Sequence, residues 1–279
     1  MIRWSKVSAM AVHVYTASGI VPAGLAAMEL CDRHPDIRWV FAYLLMTTLI
    51  DATDGPLARW LDVKRNAPQI DGRTIDDLLD YLTFAFLPLL AVWRMGYLAD
   101  GWSWVWMAGA LASLLGFAHV TAKDESGGFF RGFPSYWNIY AFYAGLMSTW
   151  FGPVPATGLL LVLVVMTVSP VWFLYPNLTP RPWRVPILVG AAVWSLAMLA
   201  MLPSYPEVRP LWWILSLIYP AFYVGLSWWI RSRPPGFCRR SPACTQRVDN
   251  PASSRTEAGK GGETSPRGGA VLMVIGLAL

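Results

Sequence analysis

Four aspartates are the residues in this sequence most suited to chemistry. Asp51 and Asp54 close one apolar run, and Asp76 and Asp80 open the next. Residues three or four apart share a helix face, so each pair sends its carboxylates in one direction. Two such helices meeting at one end bring four acids together, and divalent cations are then needed to balance the charge. Oxygen-only ligands select Mg²⁺ or Mn²⁺, and two ions held close together suit an in-line displacement at phosphorus. Around the acids stand Gly55 and Gly72, where backbone or nucleotide can approach closely. Ala58 keeps the helix face small one turn after Asp54, and Arg59 can grip phosphate. Two acids alone would be read as capping or solvation. Asp, Gly, Ala and Arg at these intervals read together as a nucleotide and metal pocket built from helices.

The elements that position these residues follow from composition. Of 279 residues, 55% are hydrophobic and 14% charged, and the mean hydropathy is +0.42. That is too apolar for an ordinary soluble domain, and the apolar stretches approach the roughly 20 residues that a bilayer core requires. An all-α, polytopic integral membrane protein of about eight spans is predicted, near 8–28, 37–53, 75–94, 102–121, 136–151, 154–175, 184–203 and 210–230. Residues 1–231 form the transmembrane catalytic domain. Residues 232–279, rich in Ser, Gly, Pro and scattered charge, form a tail expected to be disordered, and its closing apolar stretch 270–279 is too short to span. Cys31, Cys238 and Cys244 lack metal-ligand spacing and are read as free thiols.

Basic residues fall mainly on one side. Arg3 and Lys6 precede the first span, Arg59, Lys64, Arg65 and Arg73 lie between the second and third, and Lys123, Arg131, Arg181, Arg184 and Arg231 continue the series. The positive-inside rule then puts both termini and the aspartates at the cytoplasmic face. A net charge of +5 suits anionic lipid rather than nucleic acid. Most of the 16 Trp residues are expected as interface anchors. His13 and His119, inside apolar spans, are read as hydrogen-bonded packing residues, and Asp62, Asp71 and Asp77 as solvated or capping acids.

Written out, the central pattern is D-x2-D-G-x2-A-R-x12-G-x3-D-x3-D, from Asp51 to Asp80. It resembles the signature of the CDP-alcohol phosphatidyltransferases. The gap of twelve residues between Arg59 and Gly72 is longer than usual there. It is similar to that of the bacterial branch that joins choline to CDP-diacylglycerol, as is the stretch from Phe129 to Asn138. The resemblance covers roughly residues 8–230. It implies a CDP-alcohol phosphatidyltransferase-like core, CDP-diacylglycerol and choline as substrates, CMP as product, a bacterial cell inner membrane and a homodimer. By the same resemblance Asp51, Asp54 and Asp76 bind metal, Asp80 binds metal and is the general base, and Gly55, Ala58, Arg59 and Gly72 contact the CDP moiety. From the residues alone, Asp80 lies one turn deeper than Asp76, which suits a base for the acceptor hydroxyl, and no Ser, Cys or His suggests a covalent intermediate.

The acceptor is less marked. Choline carries a fixed cation, which aromatic faces accommodate. Phe133, Tyr136, Trp137 and Tyr81 are candidates, with Asn138 as a hydrogen-bonding neighbour. These aromatics read equally as interface anchors. Serine, inositol or glycerol 3-phosphate are the alternative acceptors, the last drawing on Lys123, Arg131, Arg181 and Arg184. A cation transporter is a weaker alternative, since its site would lie near the midplane of repeated halves and no repeat is visible.

Overall fold

The computed structural model describes residues 2–118, 123–124, 129–174 and 181–232. The tail from 233 onward, His119, Cys238, Cys244 and the side chains of Lys123, Arg131 and Arg181 lie outside the described residues. Helix overlies each of the eight expected spans. Helices α1 (Ile2–Ala17) and α2 (Ile20–Cys31) share the first. Their break falls at Ser18, whose hydroxyl donates to the Tyr15 carbonyl at 2.6 Å in place of a continued helix turn. α3 (Ile37–Trp60) starts at Asp36, whose carboxylate accepts the Arg38 amide, and it runs through Pro56 well past the expected end of the second span. Asp62, in a left-handed conformation with φ 46°, then redirects the chain into the single turn α4 (Val63–Asn66).

The third span is composite. It comprises α5 (Gly72–Asp80), a π-helical turn (Tyr81–Phe86) and α6 (Leu87–Arg94). Then follow α7 (Val105–Phe117), α8 (Trp137–Phe151), α9 (Pro153–Val168), α10 (Arg181–Met201), α11 (Pro210–Ser216) and α12 (Ile218–Arg231). The sixth span was expected to stay helical to residue 175, and the structure corrects this. Pro170 forces Ser169 out of helix, to ψ 152°, and residues 172–174 become a strand. Strands β1 (Lys123–Asp124), β2 (Phe129–Arg131) and β3 (Trp172–Leu174) form a small antiparallel sheet in that order, with Phe130 opposite both Lys123 and Phe173. The architecture otherwise remains all-α.

Helices α2, α3, α6, α7, α8 and α9 enclose the main core, in which Val40, Leu44, Leu89, Trp137, Leu146 and Leu160 are essentially inaccessible. The segments Ser5–Cys31, Trp183–Ser204 and Pro210–Arg231 are long and apolar enough to cross a membrane, and α7 and α9 are shorter apolar helices. Val185, Val189, Val193 and Leu196 on α10, with Ile218, Val224 and Trp228 on α12, stand exposed. Such a surface is stable against hydrocarbon and would be poorly soluble in water. This is an all-α membrane protein.

Candidate active site in the acidic cleft

Asp51 and Asp54 project from the last turns of α3, and Asp76 and Asp80 from successive turns of α5. The two helices meet under α1, which small residues allow to approach. Ala58 packs with Ala9 and Val12 of α1 against Val63 and Ala67. At Gly19 an added Cβ would lie 3.2 Å from the Thr16 carbonyl oxygen and 3.5 Å from Leu79 of α5. The Tyr15 and Thr53 hydroxyls, 2.6 Å apart, tie α1 to α3 beside the acids. Asp71 caps α5, accepting from the Arg73 amide at 3.1 Å and the Thr74 hydroxyl at 2.8 Å. The Thr74 hydroxyl holds the Asp71 carboxyl below the usual carboxylate range.

Between these helices lies a narrow cleft that opens to the surface. It is walled by Thr47, Ile50, Asp51 and Asp54 of α3, Asp76, Leu79 and Asp80 of α5, Thr83 of the π-helical turn, and Thr16 and Gly19 at the α1–α2 break. Asp51, Asp76 and Asp80 each offer one oxygen within 4.8 Å of the other two. Asp51 and Asp76 are close enough to share a hydrogen bond, a contact two carboxyls make only across a shared proton or a shared cation. Among the described residues lining the cleft there is no Lys, Arg or His. Two unit charges 4.8 Å apart repel by roughly 3.5 kcal/mol at an effective dielectric of about 20. An all-oxygen set with uncompensated negative charge therefore fits a hard divalent cation.

Asp54 lines the same cleft but falls outside that three-acid set. It is 6% exposed and lies beside the Thr16 hydroxyl and the Gly55 backbone, in the field of Arg59. The Arg59 guanidinium folds back over Gly55, where an added Cβ would sit 3.3 Å from Nη1. At Gly72 an added Cβ would meet His13 Cε1 at 2.9 Å and Nδ1 at 3.0 Å. The structure thus gathers Asp51, Asp76 and Asp80 tightly, with Asp54 beside them. Asp77 points away, half-exposed and 3.6 Å from Arg73.

The acceptor candidates lie elsewhere. Trp137 is 0% exposed, donates to the Ser113 hydroxyl, and has Phe133 and Tyr140 edge-on against it, with centroids at 5.2 and 6.0 Å. Asn138 is buried in a separate apolar cleft of about 310 Å³ with Phe41, Leu44 and Met198. Tyr81 donates to the Ala110 carbonyl at 3.2 Å and meets Phe117 edge-on. Tyr136 is half-buried at the start of α8. None of Phe133, Tyr136, Trp137, Asn138 and Tyr81 is among the residues lining the acidic cleft.

Sequence reasoning missed Thr16, Gly19, Thr47 and Thr83 as walls of the cleft. The one available signal was His13, Thr16 and Gly19 recurring every three residues along an otherwise apolar segment. His13 also departs from expectation, since its buried Nε2 has no hydrogen-bond partner among the described residues.

Comparison with known proteins gives a consistent result. The chain is 31% identical over 229 residues to the phosphatidylcholine synthase of Rhizobium meliloti, covering 80% of this chain and 90% of that one. It is 35% identical over 227 residues to the phosphatidylcholine synthase of Legionella pneumophila, covering 78% and 86%. It is 30% identical over 230 residues to that of Pseudomonas aeruginosa, covering 82% and 94%. No protein-family model and no solved structure matches the chain.

Proposed function

This chain belongs to the phosphatidylcholine synthase family, and from that premise we propose that it transfers the phosphatidyl group of CDP-diacylglycerol to the hydroxyl of choline, releasing CMP. The observation that carries the reading to particular residues is the convergence of Asp51, Asp76 and Asp80 in a cleft between membrane helices. Such a cleft is where a phosphoryl group attached to a membrane lipid can be reached.

We assign Asp51, Asp54, Asp76 and Asp80 to divalent metal, two ions of Mn²⁺ or Mg²⁺. When bound, they neutralise the donor's pyrophosphate and the departing CMP. The chain's own residues do the rest. Arg59 binds a phosphate oxygen of the donor, and Gly55, Ala58 and Gly72 are assigned to the CDP moiety, the two glycines by letting Arg59 and His13 stand over their backbone. Asp80 takes the proton from the choline hydroxyl as its oxygen bonds to the phosphorus bearing diacylglycerol. The phosphorus–oxygen bond to CMP breaks in the same step, and the electron pair leaves on CMP. The apolar walls, Ile50 and Leu79, keep water from the donor phosphorus. The acyl chains stay in the bilayer.

Basic residues at Arg59, Lys64, Arg65 and Arg73 surround the connection between α3 and α5. This distribution supports a site at the cytoplasmic leaflet of a bacterial inner membrane. Homodimerisation is part of the same reading. The choice of choline rests on the relatives, with serine, inositol and glycerol 3-phosphate as the competing acceptors. Purified protein supplied with CDP-diacylglycerol, choline and Mn²⁺ should release CMP. Asp80→Asn should still bind CDP yet release none; CMP release unaffected by Asp80→Asn contradicts the assignment of the base.

A further inference from the structure

His13 is the buried polar group that the reaction described above leaves unused. It is 6% exposed, and its Nε2 has no hydrogen-bond partner among the described residues. An unpaired buried imidazole nitrogen carries a real desolvation cost, and in a native structure it calls for a ligand or water to complete it. His13 does not itself line the acidic cleft, but it stands one helical turn from a residue that does. The Cε1–Nδ1 edge of the ring lies against Gly72, so closely that a Cβ there would come to 2.9 Å. Gly72 opens α5, the helix that carries Asp76 and Asp80. One turn along α1, Thr16 lines the acidic cleft beside Asp54. That turn is a rise of about 4.5 Å, well within the length of a nucleoside diphosphate. The neighbouring Val12 is engaged in apolar packing with Val63 and Ala67, so α1 is anchored here while its histidine nitrogen is left unpaired.

We propose that His13 is a donor-site residue whose Nε2 hydrogen-bonds the cytidine nucleotide of CDP-diacylglycerol. The assignment rests on the phosphatidyl-transfer reading and adds to it a contact from α1, outside the aspartate pattern. It also explains the glycine at position 72, since any side chain there would displace the ring from its place beside the nucleotide.

The test uses full-length protein purified in detergent with Mn²⁺ present, comparing wild type with His13→Leu, His13→Gln and His13→Asn. CDP is titrated calorimetrically, and KM is then measured separately for CDP-diacylglycerol and choline. Gln keeps a hydrogen-bonding group near the reach of Nε2, whereas Asn is polar but too short, and Leu is apolar. Loss of one hydrogen bond to the nucleotide should weaken CDP about tenfold in the Leu and Asn variants. KM for CDP-diacylglycerol should rise with it, KM for choline should hold, and Gln should recover most of the loss. If Leu fails to accumulate, the Gln and Asn pair decides the matter. Wild-type CDP affinity in folded His13→Leu or His13→Asn, or Gln as weak as Asn, overturns the assignment. Absence of CDP binding by the wild type overturns the phosphatidyl-transfer reading itself.

Discussion

Replacing Asp76 by Asn should make the metal-free protein more stable and at the same time destroy its response to metal. Asp76 faces Asp51 and Asp80 with oxygens no more than 4.8 Å apart. Fully ionised, each of those two pairs would repel by roughly 3.5 kcal/mol at an effective dielectric of about 20, and the proton that Asp51 and Asp76 share without metal already relieves part of this. Water entering the cleft and small side-chain movements reduce the sum, leaving about 2–4 kcal/mol recoverable by removing the shared charge. An amide of the same shape can still hydrogen-bond Asp51, so little packing is lost. For a chain of this size that gain corresponds to a melting temperature higher by about 3–8 °C in chelator. Wild-type protein should instead be stabilised by Mn²⁺, by about 2.7 kcal/mol at a hundredfold excess over Kd. Asp76→Asn should show little of that shift. Both quantities come from intrinsic tryptophan melting curves in detergent, with chelator and with Mn²⁺. A variant that melts below wild type in chelator, or that gains as much from Mn²⁺, refutes the view that these carboxylates form a strained, metal-requiring set.

Other perturbations probe the scaffold. At Gly145 of α8 an added Cβ would overlap the Tyr205 hydroxyl and lie 2.8 Å from Tyr205 Cζ and 2.9 Å from Tyr97 Cε2. Tyr205 is pinned by its hydrogen bond to the Phe142 carbonyl at 3.0 Å and by Phe41 edge-on at 5.3 Å, so Gly145→Ala should cost about 2–4 kcal/mol. Adding Tyr205→Phe should recover part of that loss in melting temperature, and no recovery means the overlap is not the cause. Asp71→Ala should fray α5 and lower thermal stability. Because hydrogen bonding to Thr74 depresses the Asp71 carboxyl, its contribution is full above the unfolded pKa, near 3.9, and is lost as pH falls through the lower folded value. The gap in melting temperature between wild type and variant should stay constant from neutral pH down to about 5 and close only below about 4.

The helices beneath the expected spans were legible because most lie in long apolar runs, and hydropathy reads run length directly. Their ends were less so. α9 stops where Ser169 is forced extended by Pro170, a signal present in the sequence and outweighed by the apolar residues beyond it. α3 continues to Trp60 because its last turns are held against α1 and α4, although their polar residues had seemed to end the span. The π-helical turn after Asp80 has no sequence signature. Of the site, Asp76 and Asp80 were legible as a pair from their i,i+4 spacing, and Asp51 joins them because both acid pairs stand at the ends of apolar runs that flank one short connection. Asp54 shares the face but is drawn to Thr16 and Gly55, which only the crossing of α1 over α3 could reveal. Trp137 and Asn138 were read as acceptor contacts, with an interface anchor as the equal reading of the tryptophan, because they begin a helix after a polar loop. They are buried because α8 runs through the centre of the bundle, where Ser113 receives the indole N–H.

The central claim is phosphatidyl transfer to choline, and labelled choline tests it most directly. Membranes containing the chain, given CDP-diacylglycerol and Mn²⁺, should move label into phosphatidylcholine. Serine, inositol and glycerol 3-phosphate should give no lipid product in parallel, and Asp80→Asn should abolish the choline reaction. Product from another acceptor would keep the chemistry and replace the substrate; no product from any acceptor, with protein folded and Mn²⁺ bound, would contradict the account.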